Sequence, residues 1–422
     1  MNIPDKCKVD HLFLLIGENP LPNYVAARTL LKENGTIYLV HSTATASRAD
    51  SLRRMLKPTQ IQLVSLENKQ ANAQFIRNKV QKNIEEILQN QPDAQIGLNY
   101  TGGTKAMAVH AYRAIFEMPN LQHSPIFSYL DSESLQMLIN CKDDLVHSEP
   151  VTLNVLLKDL FELHDLPWRK DLQPSFKAIL PDATKDLLDI HLSKDLKKNW
   201  SSWCEKLRSK THKNTDWREE KELADPARDS IDLNQLDEQI KKKLYERGII
   251  SSLETNALSI KFIHDEYEFP LLRDVCAWLA GGWLEHYVLD QVQNISKTCS
   301  IHESATAFHI QDQESDDADE KFELDVAFMR DYQLFAISCT TKTSKSDCKE
   351  KLFEAYIRAR QLGGDEARVA LVCFNETPDR IKRDLTPVLG ENKFMVFGAE
   401  DLKPEKFAKK LANWVLENSP LN

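Results

Sequence analysis

Asn99-Tyr100-Thr101-Gly102-Gly103-Thr104-Lys105-Ala106-Met107 decides how the rest of this chain is read. An apolar run at 94–98, bounded by Pro92, has the character of a short buried strand. Residues 108–118 are good helix formers with apolar positions at helical spacing. Strand, glycine turn and helix make one physical object. Its glycines let the backbone approach a ligand closely, its helix start presents free N–H groups, and Thr101, Thr104 and Lys105 add donors. Such a corner suits an anionic ligand, a phosphate or a ribose-phosphate. It is not a P-loop: the glycine spacing differs, and Lys105 follows a threonine instead of preceding one. A tight strand-to-helix connection with no ligand carries the same signature.

Working outward, apolar runs at 9–17, 36–40 and 61–65 read as strands, and 24–32, 48–56 and 72–89 as helices. Runs at 126–130 and 135–139 read as two closing strands. Strands alternating with helices predict an α/β, Rossmann-like parallel sheet over residues 1–150, with helices on both faces. Ligands of such sheets sit beyond the carboxyl ends of the strands. Asn19, Asn23, His41, Ser42 and Thr43 fall at that edge together with Thr101, Gly102, Gly103, Thr104 and Lys105. Taken singly, each polar residue there reads as a turn or cap residue.

The 422 residues allow two or three domains, and 42% hydrophobic with 28% charged residues is an ordinary globular balance. A net charge of −10 argues against a surface coated for nucleic-acid binding, although a local basic channel is compatible with it. No apolar run is long enough to span a bilayer, and residues 1–9 are too polar for a signal peptide. The eight cysteines form no CxxC pair and no zinc-type spacing, so free thiols in a reducing, cytoplasmic setting are expected.

Residues 151–272 change character: prolines punctuate them, and charged helical segments follow. One, 194–213, is rich in lysine with Trp200 and Trp203 interleaved; another, 233–245, closes at Arg247-Gly248. Short runs at 257–263 and 267–271 read as a hairpin, which makes this region winged-helix-like. The last segment, 273–422, opens on a helix containing Gly281-Gly282-Trp283-Leu284-Glu285. An acidic stretch at 312–320, expected to be an exposed loop, precedes Phe322-Glu323-Leu324-Asp325-Val326-Ala327-Phe328, which alternates as a strand does. A turn at Arg330-Asp331 leads to a partner strand at 334–341; a helix at 349–362 ends at Gly363-Gly364, and a buried strand follows at 368–374. Helix, acid-bearing hairpin, helix and strand is the order of a restriction-endonuclease-like core, where carboxylates hold a divalent metal that activates water beside a phosphate. Glu323 and Asp325, two apart on a strand, project to one face. An acidic edge hairpin has the same spacing.

Taken together, Thr101–Lys105, the Gly281–Glu285 run, Glu323-Leu324-Asp325-Val326 and Gly363-Gly364-Asp365-Glu366-Ala367-Arg368 resemble the CRISPR-associated Rossmann-fold (CARF) effectors of type III CRISPR systems, in which the sensor is fused to a PD-(D/E)xK nuclease. The resemblance covers nearly the whole chain. It implies a homodimer that closes two Thr101–Lys105 corners around one ring of cyclic oligoadenylate, with tetra-adenylate favoured. It also implies a Mn²⁺- or Mg²⁺-dependent endonuclease acting on DNA or RNA. Carried onto this sequence, Glu285 and Asp325 are metal ligands, with Glu323 and the Cys339 carbonyl in support. The chain departs from the pattern at Ser338-Cys339-Thr340, where an acid, any residue and a lysine are expected. Lys342, two residues on, is the displaced lysine if the strand continues; Lys345, Lys349 and Lys351 are further along. The alternative is a non-catalytic sensor with a degenerate nuclease domain, acting through a partner or through DNA.

Overall fold

The computed structural model describes residues 3–57, 59–140, 146–169, 173–211, 230–254, 256–269, 272–311 and 320–418. The acidic stretch at 312–319 therefore lies outside the described residues, as do 212–213 and 270–271 of the middle region.

The first sheet contains β1 (Val9–Leu15), β2 (Leu31–His41), β3 (Gln60–Ser65), β4 (Ile96–Asn99), β5 (Ile126–Leu130), β6 (Gln136–Asn140) and β7 (Val146–Pro150). Their order is β3-β2-β1-β4-β5-β6-β7; β1 to β5 run parallel, and β6 and β7 close the edge antiparallel. The helices are α1 (Leu21–Leu30), α2 (Ala46–Met55), α3 (Ala73–Asn90) and α4 (Lys105–Phe116). Strand order reverses between β1 and β4, which opens the ligand crevice of a doubly wound sheet at that point. The Rossmann-like expectation holds.

The middle region is helical: α5 (Leu157–Leu163), α6 (Pro181–Leu192), α7 (Lys194–Thr211), α8 (Glu238–Glu246) and α9 (Ile260–Tyr267), with β8 (Ser230–Asp232) and β9 (Ala257–Ser259) paired antiparallel. The hairpin expected at 257–271 does not form. Ser259 accepts the Phe262 N–H at 3.0 Å and caps α9, whose Ile260 and Ile263 are buried. A capped helix with one buried apolar face displaces the second strand. Trp200 and Trp203 of α7 are buried, so they are core residues of this region.

The last sheet runs β10 (Glu303–Gln311), β11 (Glu320–Arg330), β12 (Gln333–Thr340), β13 (Arg368–Cys373) and β14 (Phe394–Phe397) in that order, antiparallel across the first three strands and parallel thereafter. Around it lie α10 (Leu272–Ala277), a π-helical turn (Trp278–Gly282), α11 (Trp283–Ile295), α12 (Lys345–Gly363), α13 (Pro378–Leu389) and α14 (Pro404–Glu417). Alternation along β12 sends Leu334 and Ala336 to one face and Phe335 and Ile337 to the other. The first face shares one apolar core with α1 of the sensor and α5 of the middle region, through Leu21, Leu30, Leu160, Leu352 and Leu362; the second packs on α11, α14 and the other middle helices. Sensor and last domain are thus joined by continuous packing. The seven described cysteines are all free thiols. Among the described residues no helix is long and apolar enough to cross a membrane.

Candidate functional site

The glycine turn sits at the β1/β4 switch point. Gly17, just past β1, packs on Gly103: a Cβ on Gly17 would lie 3.1 Å from the Gly103 nitrogen. A Cβ on Gly102 would run into the Leu15 carbonyl oxygen and lie 3.0 Å from Asn23 Oδ1. Gly103 has φ +74°, the left-handed region where side chains are strained. Glycine is therefore required twice, for close approach and for conformation. Thr104 caps α4, accepting the Met107 N–H at 3.2 Å, and Thr104 and Lys105 are exposed. Lys105 makes no ion pair among the described residues.

The other expected contacts divide. Thr101 uses its hydroxyl to accept the Leu130 N–H at 2.7 Å, bracing β5. Asn23 is fully buried, and its amide donates to the Leu15 carbonyl at 3.0 Å. His41 Nδ1 lies 2.9 Å from the Ser42 carbonyl, and both residues are buried. Ser42 and Thr45 bond each other's turn, whereas Thr43 is exposed. Asn19 Oδ1 accepts the Leu21 N–H at 3.0 Å, and its amide nitrogen abuts the backbone of Gly364, at the end of α12. Asn19 faces the last domain, a contact between residues so distant in sequence that local reasoning cannot find it.

In the last domain the β11–β12 ladder runs from Arg330–Gln333 to Val326–Ile337 and stops. Asp325 lies where the strands part. Its Oδ2 accepts the Cys339 backbone N–H at 2.6 Å and the Ser338 hydroxyl at 2.9 Å. Glu285, on the first turn of α11, comes from the opposite side. The Thr306 hydroxyl lies 3.2 Å from Glu285 Oε2 and 2.6 Å from the Asp325 carbonyl, tying β10 to both. His309 Nδ1 is 3.5 Å from Glu323 Oε1. Thr306 and His309 belong to a strand that sequence reading does not detect. Burial raises Glu285 well above the usual carboxylate range, and the Asp325 and Glu323 charges add to it. Burial likewise raises Asp325, against the Cys339 N–H and the Lys351 ammonium. Two carboxylates that resist joint ionisation form a site that a cation relieves.

This arrangement has a thermodynamic sign. The Glu285 carboxyl is raised in the fold, so its contribution to stability is complete below the ordinary value of 4.5 and is lost as pH rises through the folded value. In chelator, Glu285→Gln is therefore expected to melt a few degrees above the wild type at pH 8, with the gap closing near pH 4.5. Thermal melts across that range check it.

Two hollows meet at the carboxylates. One of about 260 Å³ is lined by Glu323, Asp325, Ser338, Lys351 and Glu354. Another of about 610 Å³ is lined by Glu285, His286, His309, Glu323 and Asp325. Neither Thr340 nor Lys342 lines either hollow. β12 ends at Thr340, whose hydroxyl accepts the Lys342 N–H at 3.2 Å, so the strand alternation that would aim Lys342 inward is lost. Its ammonium instead lies 3.5 Å from Asp347. Among the described residues, no three His, Cys, Asp or Glu side chains converge tightly enough to hold a metal on their own.

A doubly wound sensor-type sheet with a glycine corner at its switch point, packed against an α/β domain with clustered carboxylates, defines a sensor–nuclease class of protein. Residues 12–155 match the family described as the Card1 CARF domain, and residues 273–415 match the Card1-like endonuclease domain. The chain thus carries matches to both domain models, one in each half. Its fold is similar to that of protein VC1899 from Vibrio cholerae, with 16% identity over 97% of this chain and 99% of that one and a TM-score of 0.68. It is also similar to Can2 from Sulfobacillus thermosulfidooxidans, whose structure holds cyclic tetra-adenylate, with 18% identity over 96% and 99% and a TM-score of 0.62. No curated protein matches the sequence.

Proposed function

We propose that this chain is a cyclic-oligoadenylate-activated, metal-dependent endonuclease of a type III CRISPR antiviral response, working in the cytoplasm as a homodimer. The observation that carries the reading is the meeting of Glu285, Glu323 and Asp325, from α11 and β11, where β11 and β12 part. The Can2 complex supports tetra-adenylate as the ring. Backbone N–H groups at the start of α4, with Thr104 and Lys105, take its phosphates. On α4 the exposed Val109 and Phe116, two turns apart, offer an apolar stripe to a second copy beside the corner. Residues 1–150, 151–272 and 273–422 act as sensor, connector and nuclease.

The donors at the second site are hard oxygens, the Glu285 and Asp325 carboxylates and the Cys339 carbonyl, which suit Mg²⁺ or Mn²⁺ with water and phosphate oxygens completing the shell. Bound there, the metal supplies charge stabilisation at the scissile phosphate and an activated water. The protein's part is orientation. Ser338 and the Cys339 N–H fix one Asp325 oxygen, Thr306 holds Glu285 in reach, and Glu323 borders both hollows.

The test incubates the purified chain with supercoiled plasmid or single-stranded RNA, with Mn²⁺ or Mg²⁺, with and without cyclic tetra- or hexa-adenylate. Cleavage dependent on both ring and metal is expected, with one ring bound per two chains. Tight ring binding without cleavage overturns the enzyme reading in favour of a sensor acting through a partner; no ring binding removes the assignment of the Thr101–Lys105 corner.

A further inference from the structure

We infer that Lys351 of helix α12 supplies the positive charge of the nuclease site, in place of the lysine that the strand motif lacks at Thr340. This rests on the nuclease reading above and names one of its catalytic groups.

The lysines near the site sort themselves by partner. Lys342 pairs with Asp347, and Lys345 and Lys349 both bind Asp384, at 2.5 and 2.7 Å. Lys351 makes no ion pair among the described residues, is exposed, and lines the 260 Å³ hollow with Glu323, Asp325 and Ser338. Its ammonium is also near enough to draw down both Asp325 and Cys339 electrostatically. The register of α12 makes this geometry stable. Leu352, Ala355 and Ala359 are buried against the sheet, and Arg358, two turns beyond Lys351, stacks 4.5 Å from the Phe322 ring centroid. The face carrying 351, 354, 355 and 358 is thereby locked over the start of β11. A lysine stem from that face spans the hollow toward the carboxylates, leaving its cation free for a ligand that carries negative charge.

A phosphodiester entering the hollow meets carboxylates on β11 and the ammonium on α12. In hydrolysis the water oxygen bonds to phosphorus while one phosphorus–oxygen ester bond breaks. One water proton ends on the departing oxygen and the other on the new phosphomonoester. Lys351 takes no part in these bond changes; its charge stabilises the negative charge that builds on the phosphoryl oxygens.

The test uses the full chain with cyclic tetra-adenylate, Mn²⁺, and supercoiled plasmid and single-stranded RNA as substrates. Lys351→Met keeps the aliphatic stem and removes the charge. It is expected to lower kcat about a hundredfold with KM and ring affinity little changed, and Lys351→Arg should recover part of the loss. In the same variant Mn²⁺ binding, followed by electron paramagnetic resonance without substrate, should tighten severalfold, because a cation beside Asp325 has gone. Wild-type rates and unchanged Mn²⁺ affinity in Lys351→Met overturn the inference, as does a comparable loss of kcat in Lys342→Met with Lys351→Met unaffected. In both cases the wild type still cuts, so the nuclease reading survives; a wild type that cuts neither substrate under any condition removes that reading and this one together.

Discussion

Asp325→Asn is expected to lower ring-dependent cleavage about a thousandfold, the scale of the several kcal/mol that metal-assisted charge stabilisation contributes. Ring affinity should not change, because the corner at Thr101–Lys105 belongs to a different sheet. The substitution is nearly isosteric, and an amide still accepts the Cys339 N–H, now 2.6 Å from Asp325 Oδ2. What is lost is a negative charge facing Glu285. Carboxylates held close in a half-buried site exist at a cost to the fold, and relieving that cost while losing activity is the common trade at functional sites. The measurement is cleavage rate against ring concentration, with a melt in chelator alongside. Unchanged cleavage would show that Asp325 holds no metal.

Gly102→Val is expected to weaken ring binding by about a hundredfold or more. The added Cβ has no space: the Leu15 carbonyl oxygen and Asn23 Oδ1 occupy it, and both belong to rigid, buried parts of the sensor. The turn must lift away from β1, and the N–H groups that begin α4 move with it. Losing one or two hydrogen bonds to a charged ligand costs about 1.5–3 kcal/mol each. Lys105→Ala is the companion variant, since an exposed residue with no ion pair among the described residues leaves the fold alone. It should weaken binding severalfold and make affinity less sensitive to salt. Equilibrium binding of cyclic tetra-adenylate at two salt concentrations distinguishes these outcomes; wild-type affinity in both variants would place the ring elsewhere.

Much of this architecture is legible in the sequence because it rests on short-range signals. Alternating runs mark β11 and β12, and a glycine pair between a buried strand and a helix marks the switch point. What escapes is set by longer range. β10 carries no turn signal of its own before the acidic stretch, so Thr306, which ties Glu285 to Asp325, is invisible from local pattern. Strand periodicity carried past Thr340 selects Lys342, but the strand ends there and the backbone turns, with the Phe374 N–H on the Lys342 carbonyl. Only the packing of α12 shows which helix lysine faces the acids. In the corner, residue type marks the loops but not the burial within them: Asn23, His41 and Ser42 are buried, whereas Thr43, Thr104 and Lys105 are exposed.

The contact between Asn19 and Gly364 gives α12 a position at both ends of the molecule's business. With 19 residues it is about 28 Å long. Its C-terminal end abuts the loop that leaves β1 at the sensor's ligand edge, and Lys351, Glu354 and Ala355 near its middle line the hollow beside the acids of β11. A helix is stiff along its axis, so the two places are held at a fixed spacing by one element. The same helix thus carries, on one continuous backbone, the residue that meets the Asn19 loop and the residues that wall the hollow beside β11.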